Sequence, residues 1–461
     1  MIRNIYTRYT LILSLLLVAT SCSKLDFKPS DAIDPAKAFR NASDINLGLI
    51  GSYALLNTTV IINKSIVSDE VTLPTENTSS NTDAYRWQYT AANGSVTALY
   101  NTYYSAIDRI NRTLRGMDLL TFTGADIETS NRYRGELLAL RAFVHFELLR
   151  SYASAYQNDA LGVTYSKVPT FEFLARDNFQ TDVAAMKADL SAAKKLIPAS
   201  FNDKTRITVL AISAIQARLG LYEKNWADAI TYSTEVINAI PLASKTQFPT
   251  IWTDASSAEV IWKLGRVQED SRTGAVYYQQ SGGMVLYAPA FKLINTFDKV
   301  NDIRYAAYIK FDPTRTGNKS QYLVNKYAGT TAIPGMADIK MFRTGEMYLI
   351  RAEAEAESTG NAAGDLNTLR ASRITGYMNE VFAGKDALIT AIYAERFKEL
   401  AFEGHRFFDL KRRNLPVERL AADAVNASGS VLLLPTRAQY SFPLPAQEIA
   451  INKNAVQNPN Y

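Results

Sequence analysis

Two histidines and one cysteine in 461 residues leave little material for catalysis. A His/Cys metal cluster cannot be assembled from so few ligands, and neither metal nor cofactor is expected. A Ser–His–acid triad would have to use His145 or His405, which fall within or just after helical sequence. No Gly-rich phosphate loop stands between a strand and a helix. Carboxylates are plentiful, and a glycosidase needs only two. Adjacent Asp69 and Glu70 diverge in direction, however, and Glu395, Glu399 and Glu403 share a helix face, a spacing that suits solvation or ion pairs. Binding chemistry is better supplied. Trp87 follows Asp69, Glu70, Asn81, Asp83 and Arg86, and Tyr277 and Tyr278 precede Gln279 and Gln280. A sugar offers apolar C–H faces and dense hydroxyls, so its site wants flat aromatics beside amide, carboxylate and guanidinium groups. The expected site lies between 69–87 and 277–287, with Asp69, Glu70, Asn81, Asp83, Arg86, Trp87, Tyr277, Tyr278 and Gln280 as its contacts. The same polar set would suit a peptide, and Trp87 tucked into the core under a solvated loop is the bland alternative.

The elements that must position these residues are mostly helical. The composition, 47% hydrophobic and 21% charged, is that of a globular chain with ample core. Residues 41–60 begin with a capping pattern and continue as a helix, with Leu47, Ile50, Tyr53 and Ala54 as its buried face. Residues 61–95 lose helical periodicity and contain Pro74, and irregular stretches of that length are often functional. Helices follow over 96–119, 131–156 and 182–196, with an extended crossing at 161–170. His145, among aromatics, reads as a structural histidine. Residues 208–237 carry small Ala214, Ala217 and Gly220, aromatic Tyr222 and then Asn225-Trp226-Ala227-Asp228-Ala229, the pattern of a tetratricopeptide hairpin. A weaker echo spans 341–370 around Thr359-Gly360-Asn361. Between the two lies an aromatic, turn-rich insertion over 248–334, with a strand at Val260–Leu264 and a helix at 290–297.

The chain then converges on residues 386–414. Ile389, Ile392, Tyr393, Phe397, Leu400 and Ala401 form an apolar stripe, and Gly404 supplies a left-handed stop. Glu395, Lys398 and Glu399 lie off that stripe and are expected in water. Arg396 and Arg406, beside Phe-rich surface, each require an acidic partner. The fold class is therefore mostly α: tetratricopeptide-like hairpins over about 96–237 and 341–413 forming a right-handed scaffold. Loop-rich insertions with short strands at about 61–95 and 248–334 complete a single domain over 41–461.

The start of the sequence reads as a targeting segment. Arg3 and Arg8 precede the apolar run Leu11–Ala19, too short for a permanent membrane span. Ala19-Thr20-Ser21-Cys22 resembles a bacterial lipobox, which makes 1–21 a signal peptide, Cys22 the lipidation site and 22–40 a tether. Removing 1–21 takes away two positive charges and no acid, so the net +5 becomes +3. That near-neutral balance excludes nucleic acid as partner, and Lys411-Arg412-Arg413 is best explained by local carbonyls and acids.

Several of these segments resemble one family. The 386–414 stretch, the helix at 41–60, the residues Glu136, Leu140, Arg141, Ala142, Phe143, Phe146 and Leu149 of the helix at 131–156, the hairpin at 341–370 and the tail Phe442-Pro443-Leu444-Pro445 through Asn458-Pro459-Asn460-Tyr461 are similar to the SusD/RagB family of nutrient-binding surface lipoproteins. The resemblance covers nearly the whole mature chain. It implies an oligosaccharide-binding protein that is no enzyme, held by Cys22 on the extracellular face of the outer membrane and acting with a SusC-like TonB-dependent outer-membrane transporter. Oligopeptides or another nutrient remain the alternative cargo, with a glycosidase behind them.

Overall fold

A computed structural model describes residues 38–78, 82–278, 283–358 and 360–461. The signal peptide, Cys22 and most of the tether, together with Asn81, Gln279, Gln280 and Thr359, lie outside the described residues.

The architecture is mostly α-helical, as the periodicity predicts. The longer helices are α1 (Ala42–Ala54), α2 (Gly94–Asp118), α3 (Asp126–Tyr152), α4 (Phe179–Leu196), α5 (Val209–Glu223), α6 (Trp226–Ala239), α7 (Thr344–Glu357), α8 (Ala362–Arg373), α9 (Lys385–Glu399) and α10 (Arg406–Arg412). Local sequence sets their starts. The side chains of Asn41, Asn178, Thr208 and Asn225 each accept a backbone N–H of the first turn, filling donors that a helix cannot satisfy internally. Helices α5 and α6 form a tight hairpin. A methyl group on Gly220 would meet the Ala229 nitrogen at 2.9 Å, and Lys224 turns the chain at φ 59°. Helix α7 packs on α6 and α8, so the hairpin sequences at 208–237 and 341–370 stack side by side. One face differs from expectation. On α1 the buried side is Ala42, Ile45, Leu49 and Ser52, while Leu47 and Ile50 are 66% and 46% exposed.

The strands are short and pair antiparallel in twos. They are β1 (Val71–Thr72) with β3 (Ala288–Pro289), β2 (Val260–Leu264) with β6 (Ile339–Arg343), β4 (Ile309–Phe311) with β5 (Tyr322–Val324), and β7 (Val417–Glu418) with β8 (Leu432–Leu433).

Helix α9 is the junction between the hairpins and the insertion, and it is charged where the pattern predicts water. Glu395 and Glu399 are fully buried. Arg304 reaches Asp302 at 2.7 Å, Glu395 at 2.6 Å and Glu399 at 3.0 Å. Arg343 and Arg373 each bridge Glu399 to Glu259. Burial alone would raise the Glu399 carboxyl, but Arg373, Arg343 and Arg304 hold it far below the usual carboxylate range. A buried carboxylate survives only when it is paired in this way, so the insertion that carries Arg304 is clamped to the helical core. The acids required by Arg396 and Arg406 are Asp409, at 2.9 Å, and Asp69, at 2.7 Å.

His145 is structural, as read. Its Nδ1 donates to the Arg141 carbonyl at 2.8 Å, its Nε2 accepts from the Ser166 N–H at 3.1 Å, and it stacks on Tyr165. Burial lowers its pKa to about 3, so the ring is neutral.

Candidate functional site

The two irregular regions do meet. Val71 pairs with Pro289 and Thr72 with Ala288. Beyond that ribbon, Glu76 gathers three loops. Its carboxylate accepts from the Val285 N–H at 3.1 Å and the Ser320 N–H at 2.9 Å, and it pairs with Arg315 at 2.7 Å. Arg315 donates in turn to the Gly283 carbonyl at 2.9 Å. Asn77 donates to the Leu286 carbonyl at 2.9 Å. Loops at 73–78, 283–287 and 315–320 are thereby one surface.

Most of the side chains expected to line that surface face inward instead. Trp87 is fully buried with φ 50°; its indole N–H donates to the Val67 carbonyl at 2.9 Å, and the Arg419 guanidinium lies 3.9 Å from its ring. It is a core residue and no stacking platform. Tyr277 is buried against Tyr327 and Phe402, and Tyr287 against Tyr85. Asp69 sits under the surface between Arg406 and Lys292. Burial opposes its charge, but those two cations outweigh it and hold its pKa at about 2. Glu70 is buried beside it, with one carboxylate oxygen accepting from the Phe402 N–H at 3.1 Å; burial pushes its pKa up to about 7. Asp69 and Glu70 therefore hold the ribbon and offer nothing to a ligand, nor a carboxylate pair to a glycosidase. Three of the predicted contacts keep solvent access. Asp83 is exposed and accepts from the Asn93 amide, half-buried Arg86 donates to the Asn426 carbonyl at 3.1 Å, and half-buried Tyr278 accepts from the Lys310 ammonium at 3.3 Å.

The exposed aromatics are others. Phe311 of β4 lies opposite Tyr322 of β5, with ring centroids 5.0 Å apart. Phe291 meets Tyr322 from the far side at 5.8 Å. Phe311 is 49% exposed and Phe291 39%, an unusual outlay of apolar surface for side chains so close together. The position of Phe291 is fixed by Asp423, whose carboxylate accepts the N–H groups of Phe291 and Lys292 at 2.6 and 3.0 Å. On the hairpin's other face, by the alternation of a strand, Lys310 projects toward Tyr278. The sequence reading missed this trio because residues 311 and 322 become neighbours only through strand pairing. The aromatic richness of 248–334 was the only local signal.

A second concavity lies on the helical side, where no ligand surface was expected. A groove of about 1350 Å³ runs between α1, α2 and the segment 164–174, with Leu47, Asn101, Ser105, Arg109 and Phe171 among its walls. Among the described residues, no group of three or more His, Cys, Asp or Glu side chains is placed to hold a metal ion.

Comparison with known proteins matches both ends of this architecture. Residues 309–461 match the profile of the SusD family, and residues 25–221 match one described as starch-binding and associating with the outer membrane. This is a SusD-like protein. SusD-like protein P2 of Formosa agariphila is 22% identical to it across 97% of this chain and 98% of its own. A SusD superfamily structure from Bacteroides thetaiotaomicron superposes with a TM-score of 0.81 at 22% identity, covering 91% of this chain and 100% of its own. A laminarin-binding SusD-like protein does so with a TM-score of 0.71 at 18% identity, covering 92% and 100%. The SusD-like fold thus extends through both hairpin pairs and the insertion between them.

Proposed function

We propose that the protein binds oligosaccharides at the outer surface of the outer membrane and passes them to a SusC-like TonB-dependent transporter. The observation that carries this reading is the aromatic trio of exposed Phe291 and Phe311 with half-buried Tyr322 between them, beside the three loops gathered by Glu76. Rings held by strand pairing and by Asp423 are preorganised, so little ordering entropy opposes a sugar that stacks on them. Asp83 and Arg86 on the segment before Trp87 are the polar contacts proposed beside the rings, and Asn81 and Gln280, outside the described residues, are proposed with them from the sequence. The starch-binding description of the matched profile and the laminarin-binding relative favour a glycan over a peptide. In this reading the protein performs no chemistry of its own. Lipidation at Cys22 holds it to the membrane, with the binding surface turned to the medium.

Calorimetric titration decides the cargo. Laminarin and malto-oligosaccharides are titrated against the full chain, with oligopeptides of similar length alongside. Saturable heat with a saccharide and none with peptides supports the proposal. Saturable binding of peptides alone would replace it with peptide uptake, and release of reducing ends during the titration would replace it with a glycosidase.

A further inference from the structure

The groove on the helical side already holds the start of the described chain. Ala38 and Phe39 line it, and the Phe39 ring rests between α1 and α2, where a methyl group on Gly48 or on Gly116 would strike it. The chain is therefore seated at the Gly116 end of the groove, and the segment before Ala38 continues from there. Along α2 the lining extends from Tyr100 to Leu119, roughly 28 Å at the rise of an α-helix. Leu47, Leu119, Val168 and Phe171 stand strongly exposed beside it. Arg109, Arg112 and Arg115 line it from α2 and are exposed. Arg112 pairs with Asp108 at 2.7 Å, whereas Arg109 donates to the Gly51 carbonyl at 3.0 Å. Among the described residues neither Arg109 nor Arg115 has an acidic partner.

The segment that enters the groove has a matching sequence. It reads Ser23-Lys24-Leu25-Asp26-Phe27-Lys28-Pro29-Ser30-Asp31-Ala32-Ile33-Asp34-Pro35-Ala36-Lys37. Pro29 and Pro35 have fixed φ angles and push Lys28 and Asp34 toward extended backbone. That favours a polyproline-type run, with three residues per turn and about 3.1 Å per residue. About nine such residues cover the length of the groove. In this run Asp31 and Asp34 share one side, about 9 Å apart. Arg109 and Arg115 are also about 9 Å apart along α2. The order agrees, because Asp34 is the acid nearer Ala38 and Arg115 is the arginine nearer Gly116, where Phe39 rests. Phe27, Ile33 and Ala36 fall together on another side of the run, as apolar groups for the exposed apolar residues of the groove. Lys24 and Lys28 suit Glu172 and Glu448, which also belong to the lining. The segment is joined to the chain at Ala38, so its local concentration at the groove is on the order of millimolar, and weak contacts suffice to hold it.

We propose that residues 25–37 dock in this groove as an intramolecular strap. Asp34 pairs with Arg115 and Asp31 with Arg109, while Phe27 and Ile33 cover Leu119, Val168 and Phe171. With Cys22 lipidated, the anchor then leaves the protein from the α1–α2 side, which sets the face turned to the membrane. The strap is independent of the cargo bound at the aromatic trio.

Hydrogen exchange read by mass spectrometry on the mature lipoprotein in detergent tests it. Amides of residues 25–36 should exchange at least tenfold more slowly than those of a synthetic peptide of residues 23–37. Asp31→Lys with Asp34→Lys, which lie outside the helical scaffold, should bring them to the peptide's rate. Adding Arg109→Glu and Arg115→Glu to that variant should restore the slow exchange, with the amides of α3 protected throughout. Peptide-like exchange in the wild type would overturn the proposal, as would protection that survives the first charge reversal or is not recovered by the exchange of charges. A benzophenone amino acid in place of Phe171 gives a second readout in intact cells. A light-dependent adduct within the chain, to a peptide from residues 23–37, supports the strap. Adducts only to another protein, to lipid or to a saccharide would give the groove a different occupant and overturn it.

Discussion

At the scale of residues, the loop aromatics divide into buried supports and exposed contacts, and substitution distinguishes the two. Phe311→Ala should remove a stacking ring and weaken saccharide binding by about 1–3 kcal/mol, by analogy with bases on aromatic side chains, or roughly 5- to 150-fold. Trp87→Ala is the contrasting control. It empties a fully buried site, so its effect should be a melting temperature lowered by the loss of about 3–5 kcal/mol, with saccharide affinity unchanged wherever the protein is folded. Titration and melting curves on both variants check the division. Equal affinity of Phe311→Ala and wild type would remove the trio from the site. Glu70 makes a further residue-scale case. Its folded pKa, about 7, lies above its ordinary value of 4.5 because burial disfavours the carboxylate. Its contribution is thus fully present below pH 4.5 and is lost as pH rises through 7. Glu70→Gln keeps an acceptor for the Phe402 N–H and carries no charge. Relative to wild type its melting temperature should be higher at pH 8 than at pH 5. Parallel pH profiles for the two proteins would show that Glu70 does not ionise in the folded state.

At the scale of elements, each hairpin is positioned by close approach and each insertion by charge. The α5–α6 hairpin depends on Gly220, because a Cβ there presses on the backbone of Ala229 and Asn225, which cannot swing aside. Gly220→Ala should destabilise the fold by about 1–3 kcal/mol. Urea denaturation would register this as a lower midpoint at unchanged slope. Saccharide affinity should not change, since the hairpin lies in the helical scaffold and the trio in the insertion. The insertion is bound to the core by the buried acids of α9 and the arginines around them. These side chains are polar yet sit where an apolar stripe would ordinarily be, and the exclusion of water is what makes their geometry specific.

At the scale of the whole molecule, the aromatic trio and the helical groove are separate surfaces, one on the insertion and the other between α1, α2 and the segment 164–174. Anchoring is tested separately. Cys22→Ala should leave the protein unlipidated and move it from the membrane fraction to the soluble fraction, because that thiol is the only cysteine in the chain. Metabolic labelling with a radioactive fatty acid checks it, and label retained by the variant would place the anchor elsewhere.

The helices, their caps and the structural role of His145 were determined by sequence alone, because each depends on neighbours within a few positions: the spacing of α9's apolar stripe, the side chains of Asn41 and Asn225, the small residues of α5. The SusD-like family was also legible, from several such segments occurring together. What faces outward was decided only by tertiary structure. Trp87 is covered by Arg419, Asp69 by Arg406 and Lys292, and Glu395 and Glu399 by arginines from three separate elements, all far away along the chain. Charge and loop composition point such residues toward water, and only the arrival of a distant counter-ion reverses that. The aromatic trio follows the same rule, since Phe291, Phe311 and Tyr322 acquire their common surface from a strand pairing and from a carboxylate at position 423 that no local pattern encodes.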